Sequence, residues 1–74
     1  MLIKKLYSPS DGEHRIRLND DEPLVWYIVS CFASHPATVG AEIDPKDERT
    51  IIVRVLSLPA SPRPREVSVV LFTP

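Results

Sequence analysis

Seventy-four residues beginning at Met1 are expected to form one small domain, residues 1–74, and a complete gene product. Nine basic and ten acidic side chains give a formal charge of −1, so no global field draws the chain to nucleic acid. Cys31 is the only cysteine, which excludes an internal disulfide and points to a reducing, cytoplasmic setting.

No apolar run is long enough for a signal-peptide core or a membrane span, so the expectation is a soluble intracellular protein without membrane contact. Eight prolines against two glycines favour short elements joined by stiff corners.

Leu2 to Tyr7 is expected to be a strand, with Leu2, Lys4 and Leu6 on one face and Ile3, Lys5 and Tyr7 on the other. The turn formers Ser8-Pro9-Ser10-Asp11-Gly12 follow, and then His14-Arg15-Ile16-Arg17-Leu18 alternates as a half-buried strand does. A hairpin over residues 2–18 is the natural expectation.

Leu24 to Ala33 concentrates more apolar and aromatic side chain than any other stretch. Its β-branched and aromatic residues, bounded by Pro23 and Pro36, favour a strand buried on both faces that the rest of the chain covers. The acids before Pro23 would also start a helix, so a helix over 22–34 is the alternative.

Thr38 to Asp44 alternates, with Val39, Ala41 and Ile43 inward. Asp44-Pro45-Lys46-Asp47-Glu48 suits a type I turn. Arg49 to Leu58 and Glu66 to Thr73 are the last strands, joined by Pro59-Ala60-Ser61-Pro62-Arg63-Pro64-Arg65, and the three strands after Pro36 are expected to form a meander. The fold class that follows is mainly β: a small antiparallel sandwich or partly open barrel of about six strands. The alternative is α+β, an antiparallel sheet with one helix at 22–34.

By parity in the last two strands, Ile51, Val53 and Val55 make one apolar face, matched by Val67, Val69 and Leu71. Ile52, Leu56, Val70 and Phe72 share the second face with polar residues, and four large apolar groups there require a cover. The chain's own second layer is the simpler cover. A partner protein or a second copy is the other, which makes these four the candidate protein-interaction residues.

Other constellations carry less. Cys31 and His35 are the one nucleophile–base pairing, and they meet only if the central stretch is helical; no glycine-rich oxyanion loop accompanies them. The acids at 20–22 and at 44, 47 and 48 lack the ligand ladder of a calcium loop, and His14, His35 and Cys31 lack zinc spacing, so no metal or cofactor is expected. The 59–65 linker is better explained as a stiff connection than as a polyproline ligand.

Lys5, Tyr7, Arg15 and Arg17 would share one face of the first hairpin and form a candidate nucleic-acid surface, with Tyr7 able to stack on a base. A small β-barrel nucleic-acid-binding protein is therefore the alternative function. The favoured one is a non-catalytic interaction protein that binds another protein: an inhibitor, accessory or assembly factor of the phage- or plasmid-encoded kind. No enzyme activity is expected, and homodimerisation is a subsidiary expectation.

Overall fold

The computed structural model describes all residues, 1–74, as six strands and no helix. They are β1 (Leu2–Tyr7), β2 (Gly12–Arg17), β3 (Tyr27–Ala33), β4 (Ala37–Ile43), β5 (Thr50–Ser57) and β6 (Glu66–Phe72). Two antiparallel three-stranded sheets form, β1-β6-β3 and β2-β5-β4. This is a small mainly-β sandwich, as the alternation of the sequence implies. No helix is long and apolar enough to cross a membrane.

The most apolar strands, β5 and β6, take the two central positions. Ile51, Val53 and Val55 from one and Val67, Val69 and Leu71 from the other are nearly or fully excluded from solvent, and Leu18 joins them. Each such side chain contributes about 1.5–3 kcal/mol by leaving water. The edge strands add their inward residues: Leu2 and Leu6, Ile16, Ile28 and Cys31, and Val39, Ala41 and Ile43.

Three expectations are corrected by this topology. The 2–18 hairpin does not form: β1 pairs with β6 from Leu2↔Leu71 to Tyr7↔Glu66, and β2 pairs with β5 from Gly12↔Val55 to Arg17↔Thr50. Each central strand needs two hydrogen-bonded neighbours, so the first two strands separate and the turn between them carries the chain from one sheet to the other. The C-terminal meander is only half present. β4 and β5 pair from Ala37↔Ser57 to Ile43↔Ile51, but β6 lies in the opposite sheet.

The third correction concerns residues 24–33. The stretch is a strand rather than a helix, but it is an edge strand and not a core element buried on both faces. Val25, Ile28, Cys31 and Ala33 pack against the core, while Trp26, Tyr27, Val29 and Phe32 are exposed. A register shift between Ile28 and Ser30 leaves Val29 as an extra residue, a β-bulge at the sheet edge.

The connections are anchored by their polar residues. The Asp47 amide donates to the Asp44 carbonyl at 3.2 Å, closing the expected turn around Pro45. The Glu22 amide donates to the Asn19 carbonyl at 3.0 Å, and the Asn19 amide donates back to Glu22 Oε1 at 2.9 Å. Arg49 Nη1 holds the same turn through the carbonyls of Asn19 and Glu22, each at 2.9 Å.

Candidate interaction surface

Because β5 and β6 face each other across the core, their outward side chains point in opposite directions. The four candidate interaction residues therefore divide: Ile52 and Leu56 lie on the outside of β2-β5-β4, Val70 and Phe72 on the outside of β1-β6-β3. The parity argument chose the inner faces correctly, but inner faces that meet cannot have outer faces that coincide. The candidate nucleic-acid residues divide in the same way. Lys5 and Tyr7 belong to the outside of β1, Arg15 and Arg17 to the outside of β2, with the sandwich between them.

The outside of β2-β5-β4 is a lattice of charge. Arg15 reaches Asp44 at 2.6 Å and Glu13 at 3.0 Å, and Arg17 reaches Asp47 at 2.7 Å and Asp20 at 3.7 Å. Arg54, in the central strand, lies 2.8 Å from Glu42 on one side and 3.8 Å from Glu13 on the other. Glu42 holds the Arg54 guanidinium above its ordinary pKa by hydrogen bond and charge. The Asp44 carboxyl is held below the usual range by the Lys46 amide and by Arg15. The Asp47 carboxyl is held down by the Thr50 hydroxyl, the Arg49 amide and Arg17.

Ile52 sits in this lattice yet is only 5% exposed. Its cross-strand neighbours are Arg15 and Glu42, long side chains whose aliphatic stems suit such a cover. Toward the end of the sheet, Gly12 and Gly40 flank β5 and leave an open groove of about 440 Å³ over Val55 and Leu56.

The outside of β1-β6-β3 has the opposite character. Tyr27 stacks on Phe72 with centroids 4.9 Å apart and planes 10° from parallel. Trp26 tilts against the other side of the cluster, 5.5 Å from Phe72 at 43°. The Trp26 amide donates to the Phe72 carbonyl at 2.8 Å, which extends the β3–β6 ladder and fixes the indole on this face. Ile3, Val70 and Ser30 lie in register beyond the aromatics, then Lys5, Ser68 and Phe32. Trp26 is 61% exposed and Phe32 is 55% exposed; Ile3, Tyr27 and Val29 are each about half open to solvent. One cationic and one anionic side chain point outward from these strands, and they pair with each other, Lys5 to Glu66 at 3.1 Å.

The remaining candidates are tied into the fold. Cys31 points toward the core from β3, and burial raises its thiol pKa, opposite to the shift an activated nucleophile needs. His35 Nδ1 is 3.1 Å from Ser34 Oγ, and both residues line an open groove beside Cys31 without a hydrogen bond to the thiol. Of the acids in the two turns, Asp20, Asp44 and Asp47 meet arginines and Glu22 meets Lys4, at 2.7 Å. In the proline-rich linker Pro64 is fully buried, and the Arg65 carbonyl accepts from the Ser8 amide at 2.8 Å. Pro64 thus anchors the C-terminal end of a segment whose other residues are mostly exposed.

Sequence reading missed Trp26, Tyr27, Val29 and Phe32 as surface residues. Inward positions in this strand run 25, 28, 31, 33, because the bulge at Val29 breaks the period of two. The four exposed positions were on view in the composition; their parity was hidden by one extra residue. Comparison with protein-family models, with curated proteins and with solved structures finds no match for this chain.

Proposed function

We propose that this chain is a small, non-catalytic interaction protein that acts by binding another protein through the outside of β1-β6-β3. The observation that carries the reading is the exposed run of Trp26, Tyr27, Val29 and Phe32 beside Phe72 and Ile3, on strands whose two outward charged side chains, Lys5 and Glu66, pair with each other. Monomeric proteins seldom expose contiguous apolar patches above about 300–600 Å², and aromatic residues dominate the energetics of protein contacts. Val70 and Phe72 keep their proposed role; Ile52 and Leu56 do not belong to this surface.

Charge supports a protein over a nucleic acid as the partner. Lys5, Arg15 and Arg17 already have carboxylate partners, so a phosphate backbone would have to displace them. An inhibitor, accessory or assembly role suits a chain of this size, and the unpaired thiol of Cys31 fits the reducing cytoplasm. The test is affinity capture of proteins, second copies included, with wild type, with Phe32→Ser plus Trp26→Ser, and with Arg15→Ala plus Arg54→Ala as control. Capture lost only in the first variant supports the reading. Capture that survives it, or that the arginine variant abolishes, overturns it.

A further inference from the structure

We propose that the occupant of the β1-β6-β3 outer face is a second copy of this chain, related by a two-fold axis. The inference rests on the reading of that face as a protein interface and names what covers it.

Charge is the first argument. Lys5 and Glu66 are the only charged side chains that point outward from β1, β6 and β3, and their 3.1 Å pair leaves the strand surface neutral. A charged partner would find no unpaired side-chain charge on the strands to match. A copy of the same face meets it without like-charge repulsion, as an isologous contact requires.

Area is the second argument. A fully buried aromatic residue removes about 150–250 Å² from water, so Trp26, Tyr27 and Phe32, each a little over half exposed, present about 100 Å² apiece. With Ile3, Val29, Tyr7 and the outward parts of Val70 and Phe72, the face offers roughly 600 Å². A standard interface takes about 800 Å² from each partner, so this patch with its polar rim of Lys5, Ser30, Ser68 and Glu66 is of the size a stable dimer needs.

Geometry fixes the arrangement. Stacked sheets align within about 30°. An axis running along the strands lays β6 on β6 and β1 over β3 of the second copy. Val70 and Phe72 then meet the same residues of that copy, and the aromatic ends lie together. A chain too small to build a large core gains apolar burial by this route.

Sedimentation equilibrium over a wide concentration range tests the proposal. Wild type should approach twice the chain mass, and Phe32→Ser with Trp26→Ser should raise the dissociation constant at least about tenfold. Both positions are more than half exposed, so circular dichroism should show the variant folded. In a Cys31→Ser background, Val70→Cys should be joined to its counterpart by a short bis-maleimide, whose reach matches the roughly 10 Å spacing of stacked sheets, whereas Thr38→Cys, on the opposite outer face, should not. A dimer that ignores the serine substitutions, or that cross-links through Thr38→Cys instead, overturns the proposal. A wild type that stays monomeric and captures a different protein through Phe32 also overturns it but leaves the interface reading standing. A monomer whose captures ignore Phe32 ends both.

Discussion

The two outer faces of this sandwich are built on the same three-strand plan and finish in opposite ways. Outside β2-β5-β4, arginines and carboxylates from neighbouring strands answer each other and cover Ile52, leaving Leu56 at the end of the sheet as the one large apolar side chain open to solvent. Outside β1-β6-β3, aromatic rings answer each other and stay open to solvent. The difference separates self-sufficiency from incompleteness. A charged lattice that pairs internally satisfies itself in water and discourages association, whereas an aromatic face loses free energy only when something covers it.

Substitutions can probe that contrast, beginning where the effect should be greatest. Ile52→Ala, on the charged face, should cost about 2–4 kcal/mol in a denaturant titration, because it removes a buried side chain. A cost below about 1 kcal/mol would mean that the lattice does not enclose Ile52. The matching change on the aromatic face, Phe32→Ser measured on dilute chain, should cost no more than about 1 kcal/mol while weakening association strongly. A large loss of stability in the dilute chain would place Phe32 among core residues instead.

Acid should act chiefly through the charged side. Folding lowers the carboxyl pKa values of Asp11, Glu22, Asp44 and Asp47 through the Ser57 amide, the Lys4 ammonium, the Lys46 amide and the Thr50 hydroxyl respectively. Between those lowered values and the ordinary carboxyl range, the unfolded chain binds more protons than the folded one. The associated stability is therefore complete above the ordinary range, near pH 4, and is lost as pH falls through the folded values. Thermal melts on a pH series should show this decline, and Asp44→Asn with Asp47→Asn should make it shallower. An unchanged slope would mean that the turn carboxylates contribute nothing. The smallest effect is that of salt: the exposed ion pairs should give only a slight fall in Tm, and association through the aromatic face should not weaken. Association that collapses with salt would assign the contact to the charged face.

Much of the fold was legible because five strands keep strict parity. Ile51, Val53 and Val55, Val67, Val69 and Leu71, and Val39, Ala41 and Ile43 all face inward as their alternation requires. Pairing was not legible. The short turn after Tyr7 suits a hairpin as well as a crossing, and only the demand of β5 and β6 for two neighbours each decides between them. The candidate site suffered from the same gap. Parity puts Ile52, Leu56, Val70 and Phe72 on one apolar face needing a cover, because sheet membership is invisible in parity. Composition alone puts Trp26 and Phe32 in the core, since a bulge gives β3 inward spacings of three, three and two that a helix also produces.

Trp26, the chain's single tryptophan, stands on the face in question and reports on it directly. Acrylamide quenching of its fluorescence should be efficient in the dilute chain, whose indole is 61% exposed, and should fall sharply as concentration rises and the second copy covers it. Quenching that stays the same across the whole range, with the chain folded throughout, would contradict the claim that this aromatic face is where the molecule makes its contact.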